Sequence, residues 1–207
     1  MTNNNTFLDR FIKQYPKITL IGMSGLGKSH WSKVLERYGY NRFCCDDVIT
    51  DRLLGPSHKH IKEIEDIGDW MGFPYEPGYK NREKAYLSLE IEILNEFIDR
   101  LDSSSHTEKI VIDTTGSAPY AGDDVMKRLG ELSCIIYLAA SKEYYPEMLE
   151  RYIKCPRPVL WGDKYEQRPF ESFRDGLKRS YGELLTYRDS LYKKWAHYTI
   201  PYEVHHR

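Results

Sequence analysis

The residues best suited to do chemistry in this chain lie in one segment, Gly22-Met-Ser-Gly-Leu-Gly-Lys-Ser29. The segment fits the pattern G-x-x-x-x-G-K-[ST], with an apolar strand predicted at 18–21 before it and a helix at 30–38 after it. Glycine allows backbone N–H groups to turn towards phosphate oxygens, and the helix adds its positive N-terminal end. Lys28 is placed to reach the β- and γ-phosphates, and the Ser29 hydroxyl to bind Mg²⁺. The segment therefore predicts a nucleoside triphosphate site, the alternative being a purely structural glycine-rich turn.

The nucleotide is predicted to be ATP, because the chain lacks the Asn-Lys-x-Asp motif that would recognise guanine. The residues expected to contact it in and after the loop are Gly22, Ser24, Gly25, Leu26, Gly27, Lys28, Ser29 and His30.

Acidic residues follow two of the predicted strands. Asp113 ends the apolar run 110–113, where a carboxylate can contact Mg²⁺, often through water. Asp46 and Asp47 follow the second strand, and one of them could accept the proton of a substrate hydroxyl. The alternatives are a helix cap or turn residue for Asp113 and a solvated acidic turn for the other two.

One arginine interrupts the apolar face of a predicted helix at 171–195. Arg188 lies in the stripe that includes Leu184 and Leu191. A buried guanidinium without a partner is costly, so Arg188 is expected to meet an anion. The pattern leaves open whether that anion is a structural carboxylate or a ligand.

The composition indicates one domain and excludes several classes of protein. The chain has 207 residues with a net charge of -1, which argues against a general nucleic-acid binder. No run of 18 apolar residues is present, so no membrane span is predicted. Its four cysteines lack the spacing of a zinc site and are typical of reduced thiols in a cytoplasmic protein. A helical extension is expected at 1–15, and the oligomeric state is left open between monomer and homodimer.

Short apolar strands alternate with helices along the chain, which predicts an α/β domain with a parallel sheet. The further helix with a clear apolar period covers 87–101, and two loops rich in Gly, Pro or charge cover 68–78 and 154–169. The strands are expected at 18–21, 42–45, 109–113, 133–138 and 197–204.

With these residues in place, the chain resembles the shikimate kinase family of P-loop small-molecule kinases, as a divergent member. The likeness extends over 17–202, and two of its motifs are not needed by P-loop proteins in general. These are the lid motif at 157–160 and the Arg-x-x-x-Tyr at 188–192. The other matching segments are the phosphate loop at 22–29, the acidic motif at 43–47, the segment 78–83 and the loop 113–117.

The resemblance implies a three-layer fold with a five-stranded parallel sheet of order 2-3-1-4-5 flanked by helices. The whole chain, 1–207, would be one kinase-like domain with a substrate-binding segment at 47–108 and a lid at 150–169. The implied activity is phosphoryl transfer from ATP, with Mg²⁺, to a hydroxyl of a small, anionic metabolite.

The same resemblance assigns roles to individual residues. Lys28 and Arg157 would stabilise the transferring phosphoryl group, and Arg151 would lie against the nucleotide base. Asp46 or Asp47 would orient the acceptor hydroxyl. The acceptor itself would be bound by Asp47, Lys80, Arg82, Thr115, Gly116 and Arg188.

The chain also departs from the family pattern. Thr115-Gly116-Ser117 replaces three glycines, which is expected to add two side chains to the pocket floor. Lys80 stands where the family has an arginine, and lysine cannot form a bidentate fork with a carboxylate. These departures leave two alternatives: a kinase for nucleosides, nucleotides or sugars, and a regulatory nucleotide-binding module without acceptor chemistry.

Overall fold

The fold is organised around a parallel sheet of short strands. The computed structural model describes residues 13–55 and 64–205, and within them five strands pair in the order β2-β3-β1-β4-β5. All residues of β3 and β4 are buried, as expected where helices cover both faces of a sheet. The strands are β1 (Lys17–Ile21), β2 (Asn41–Cys44), β3 (Ile110–Asp113), β4 (Cys134–Leu138) and β5 (Tyr198–Ile200).

Helices occupy most of the connections between the strands. Two short 3₁₀ helices, Ala118–Ala121 and Lys142–Tyr144, precede α-helices. The α-helices are α1 (Lys28–Arg37), α2 (Cys45–Leu54), α3 (Ile64–Met71), α4 (Tyr79–Ser103), α5 (Asp123–Leu132), α6 (Tyr145–Lys154), α7 (Phe173–Trp195) and α8 (Tyr202–His205). No helix in the described ranges is both long and apolar enough to cross a membrane.

The sheet separates two apolar clusters, which makes the domain three layers deep. The smaller cluster joins Ile18 and Leu20 of β1 to Leu35 of α1. The larger cluster lies on the other face and includes Ile21 of β1 and Leu94 of α4. Because alternate residues of a strand point to opposite faces, the three central strands β1, β3 and β4 each supply both clusters. The predicted sheet order and layering are therefore confirmed.

Some sequence predictions were wrong in detail. The last strand stops at Ile200, since Pro201 has no N–H for the ladder, and α8 follows it instead of further strand. The predicted loop 68–78 begins inside α3, which runs to Met71. In the N-terminal half of α4, Tyr86 and Glu90 are buried. The sequence pattern had placed the buried positions of this half one residue later in the chain. Of the proposed extension at 1–15, residues 1–12 lie outside the described residues.

The turn from β1 into α1 passes very close to the end of β4. Gly22 has φ 147°, and a Cβ atom there would lie 2.6 Å from the carbonyl oxygen of Leu138. Real Cβ contacts are not this short, and a side chain would also strain this backbone conformation. Glycine at this position therefore allows the loop to follow the sheet edge closely.

Two contacts hold the segment after α6, which contains most of the predicted lid, against α3 and α4. Gly68 of α3 packs on the backbone of Pro156, whose carbonyl oxygen would clash with any Cβ at 68. Glu83 of α4 accepts hydrogen bonds at Oε1 from the backbone N–H groups of Trp161, at 2.5 Å, and Gly162, at 2.8 Å. The hydroxyl of Tyr79 donates to the same oxygen at 2.8 Å. A single carboxylate thus joins α4 to the stem of the lid.

Replacing Gly22 by Ala should lower the free energy of unfolding by at least about 2 kcal/mol, because it adds both backbone strain and overpacking. Urea denaturation of both proteins measures this loss. The matched control is Gly182→Ala in α7, where nothing lies within 4 Å of the added Cβ and φ is not positive. That substitution should stabilise by about 1 kcal/mol. Equal effects of the two substitutions would contradict the close approach at Gly22.

Replacing Glu83 by Ala should cost about 2–4 kcal/mol, because two backbone donors and one hydroxyl lose a charged acceptor. The measurement is again urea unfolding, with Glu92→Ala as the control on the same helix. Glu92 is 63% exposed and forms a surface ion pair with Arg52, so its loss should cost little. A loss below about 1 kcal/mol for Glu83→Ala would show that the lid stem does not depend on this carboxylate.

Candidate active site

The phosphate loop is shaped by its glycines and holds a buried cation. Gly25 and Gly27 have φ values of 80° and 84°, in the left-handed region. Lys28 begins α1 and is 6% exposed, and its Nζ donates to the carbonyl oxygens of Gly22, at 2.8 Å, and Met23, at 3.0 Å. Burial lowers the pKa of Lys28, and the nearby charges of Asp113 and Asp46 act in the opposite direction. No described side chain caps α1, so its first amides face outward beside this ammonium.

Asp113 lies at the carboxyl end of β3, where it meets α1 and β2. Its Oδ2 accepts hydrogen bonds from Ser32 Oγ at 3.0 Å and from Arg42 at 2.9 Å. Arg42 also donates to Ser32 Oγ at 2.7 Å and to Asp47 Oδ2 at 3.2 Å. The sequence interpretation missed Arg42, although its place on a strand next to β3 was the available signal. Asp113 is thus held rigidly beside the phosphate loop.

The structure separates the two acidic residues that follow β2. Asp47 is 68% exposed and pairs with Arg42. Asp46 is partly buried, and desolvation raises its pKa to about 6, while the charges of Lys28 and Arg157 act to lower it. Of these two carboxylates, Asp46 is therefore the one whose charge interacts with the cations of the loop and the lid.

Arg188 is buried in α7 and is held by backbone carbonyls. Its guanidinium donates to the carbonyl oxygens of Leu160, at 2.7 Å, and Gly116, at 3.2 Å, and to the hydroxyl of Tyr120 at 3.4 Å. No described carboxylate lies within ion-pair distance of it. Of the two anions considered from the sequence, a structural carboxylate is therefore not found in the described part of the chain. Three of the five N–H bonds are used, and the remaining two lie one on each terminal nitrogen.

The loop after β3 does not carry its two extra side chains into the pocket. The hydroxyls of Thr115 and Ser117 both bond to the carboxylate of Glu90 in α4, the Ser117 bond being 2.6 Å long. Glu90 is fully buried, and desolvation raises its pKa to about 7. Gly116 between them lies against the phosphate loop, since a Cβ there would be 3.0 Å from the backbone nitrogen of Ser24. The expected pocket floor with two added side chains was therefore wrong.

The sequence pattern did not identify Glu90, because the apolar face predicted for α4 lies one residue later in the chain than the buried face of the helix. A glutamate on a buried helix face was the available signal, and the register of the helix was needed to recognise it.

Two cations predicted to bind the acceptor are used elsewhere. Lys80 pairs with Glu83 at 3.0 Å and donates to the carbonyl oxygen of Gly162. Arg82 donates to the carbonyl oxygens of Met71, at 2.9 Å, and Pro77, at 3.2 Å. Both side chains thus hold backbone segments around the substrate side and are not brought together with Arg188.

A cavity of about 290 Å³ opens between the phosphate loop and the lid. Its lining includes Ser24 and Gly25 of the loop and Arg151 and Arg157 of the predicted lid. Arg151 pairs with Glu147 at 2.7 Å and lies over the ring of Tyr144. The charge of Arg157 acts on both Lys28 and Asp46. The cations that line this space, Arg151, Lys154 and Arg157, therefore come from α6 and the segment after it.

The described residues contain no cluster of three or more His, Cys, Asp or Glu side chains arranged to hold a metal ion. A metal held chiefly by phosphate oxygens and water, as Mg²⁺ is at phosphate loops, does not need such a cluster. Ser29 is exposed at the start of α1, and the buried carboxylate of Asp113 is bonded to Ser32, one turn further along the same helix.

Comparisons with known proteins give likeness at the level of structure. No family model matches the chain, and no curated protein matches it either. The shikimate kinase from Acinetobacter baumannii, solved in complex with shikimate, is 23% identical with a TM-score of 0.60, over 92% of this chain and 86% of that one. Shikimate kinases from Bacteroides thetaiotaomicron and Aquifex aeolicus are each 20% identical with a TM-score of 0.55, over 90% of this chain and 86% of theirs.

These identities are too low to transfer a substrate, but the agreement in architecture covers nearly the whole chain. With its parallel sheet of order 2-3-1-4-5 and its phosphate loop between β1 and α1, this chain has the fold of the shikimate kinases.

Proposed function

We propose that this protein is a small-molecule kinase that transfers a phosphoryl group from ATP to a hydroxyl of a small anionic metabolite. The observation that carries the proposal is the grouping of three features at the carboxyl edge of one sheet. The first is Lys28, buried inside the loop, and the second is the carboxylate of Asp46, which interacts with the charge of Lys28. The third is Arg188, which has no described carboxylate partner. A protein that only bound nucleotide would need the first feature alone.

The nucleotide would be bound by the loop and the start of α1. The uncapped amides of α1 and the ammonium of Lys28 suit an anion with several oxygens. Arg151, on the far side of the cavity, would lie against the base. His30 is exposed on the first turn of α1 and would line the same site.

Ser29 and Asp113 would hold Mg²⁺, whose role is to neutralise charge on the phosphate oxygens. Asp113 already accepts two hydrogen bonds at one oxygen, so we expect it to act on the metal through water. Arg42 then serves to hold Asp113 in place.

For the transfer itself, this chain would supply position and charge rather than covalent chemistry. Asp46 would accept the proton of the acceptor hydroxyl, while Lys28 and Arg157 offset charge on the moving group. Arg188 would bind the anion of the acceptor, and its two remaining N–H bonds match the two oxygens of a carboxylate. The lid segment, by covering the site, would exclude water as a competing acceptor.

The first test is ADP release from MgATP with a panel of small hydroxy acids, shikimate and D-gluconate among them. Replacing Lys28 by Ala should lower acceptor-dependent release at least about 100-fold, because a fixed charge on the transition state is lost. Lys33→Ala, an exposed lysine on the same helix, should leave the rate unchanged. Turnover near normal in Lys28→Ala would contradict the proposal. ATP binding without any acceptor-dependent release would favour the regulatory module.

The second test concerns the base. The Asp46 carboxyl must be ionised to accept a proton, so kcat should rise with pH through about 6. Asp46→Asn should remove this limb and lower kcat by about 10²–10⁴. Asp47→Asn, which removes the exposed neighbour, should keep the limb. If kcat still rises through about pH 6 in Asp46→Asn, or no longer does so in Asp47→Asn, a group other than Asp46 controls the pH dependence.

A further inference from the structure

We propose that Glu90 is a positioning residue that keeps the floor of the acceptor site free of side chains and thereby fixes Arg188. This inference extends the proposed function, since it takes Arg188 as the acceptor's anion site. It assigns to one buried carboxylate on α4 the task of holding the 115–117 loop in the shape that the guanidinium needs.

The first step is the pairing of one carboxylate with two hydroxyls. Thr115 Oγ1 donates to Glu90 Oε1, and Ser117 Oγ donates to Glu90 Oε2 at 2.6 Å. The backbone N–H of Ser117 donates to Thr115 Oγ1 at 3.0 Å, which ties the Thr115 side chain to the loop backbone, and the two hydroxyls form a hydrogen bond of 3.0 Å with each other. All three side chains are buried, so water does not compete for these bonds. Both residues that flank Gly116 are therefore turned towards α4 and away from α7.

The second step is the role of Gly116 on the opposite side of the same loop. Its carbonyl oxygen accepts from Arg188 at 3.2 Å and from the hydroxyl of Tyr192. The backbone nitrogen of Ser24 would lie only 3.0 Å from a Cβ at this position. The peptide of Gly116 is thus held between the phosphate loop and α7, and it presents backbone alone to that side.

Glu90 and Arg188 lie on opposite sides of the 115–117 loop, and the loop connects them. The two side chains form no ion pair with each other, although their charges act on one another across the gap. The hydrogen bonds that connect them run through the loop. Without the carboxylate, two buried hydroxyls lose their acceptor, and such groups either find a new partner or cost free energy. A rotation of Thr115 or Ser117 towards the cleft would displace the carbonyl that holds Arg188. Glu90 therefore determines which acceptors fit: compact hydroxy carboxylates that lie directly on the backbone of Gly116.

The experiment uses the full chain labelled with ¹⁵N-arginine and loaded with MgADP, so that the phosphate loop is already occupied. Arg188→Lys assigns the Nε–H signal of Arg188, and its hydrogen-exchange rate reports how firmly the guanidinium is held. Glu90→Ala should shift this signal and speed its exchange about tenfold or more, as expected for loss of a hydrogen-bonded anchor. Glu92→Ala, an exposed carboxylate on the same helix, should leave the signal unchanged.

The decisive variant adds glycines to the loop. In Glu90→Ala/Thr115→Gly/Ser117→Gly no hydroxyls remain to be held, so the Arg188 signal should return towards its original position and exchange rate. If Glu90→Ala does not fold, Glu90→Gln and Thr115→Val provide the comparison. The amide of Glu90→Gln can still pair with both hydroxyls and should preserve the signal, whereas Thr115→Val should shift it.

Loss of stability in Glu90→Ala with an unchanged Arg188 signal would overturn the proposal, and so would failure of the glycine loop to restore a shifted signal. Neither readout requires turnover, so both can succeed even if no acceptor is ever phosphorylated. Shikimate serves as the binding probe in the same samples. If it binds, Glu90→Ala should weaken it about tenfold and the glycine loop should restore it.

Discussion

The removal of charged groups from water at one edge of the sheet is the constraint on which the site depends. Lys28, Asp113 and Arg188 are each less than 10% exposed. An isolated charge in such a position costs several kcal/mol, so each one must be surrounded by partners. The phosphate loop supplies carbonyls to Lys28, and two other loops supply them to Arg188. The backbone around the site is therefore arranged by the charges that it has to satisfy.

This constraint joins elements that are far apart in the chain. Arg188 in α7 holds Gly116 after β3 and Leu160 in the lid stem at the same time. Glu83 in α4 reaches the next two residues of that stem through their backbone amides. Residues 160–162 are thus tied to both α4 and α7.

Sequence patterns predicted the local geometry around the phosphate loop, but they did not predict contacts with partners from other elements. The phosphate loop and the strand after which Asp113 lies follow from residue spacing, because strand, turn and helix are adjacent in the chain. Lys80 and Arg82 were predicted to bind the acceptor, yet nearby carbonyls and Glu83 take their hydrogen bonds. Their charge was visible in the sequence, but the groups that surround them were not.

Thr115 and Ser117 are a second case in which the sequence shows the side chains but not the partner that they bind. Their side chains were expected to narrow the pocket, and the fold turns them to Glu90 instead. A shift of one residue in the register of α4 decides whether a glutamate or an apolar side chain faces the loop. Such a shift depends on packing against the whole sheet.

The sequence by itself determined the fold class, the phosphate loop and the need for polar partners around Arg188, since these depend on local period, glycine geometry and the cost of a buried charge. Only the tertiary structure decided which of Asp46 and Asp47 interacts with the charge of Lys28, and which cations remain for a proposed acceptor. It also decided what holds the loop beneath Arg188. These outcomes depend on distances between side chains from different elements, and folding alone brings those side chains together.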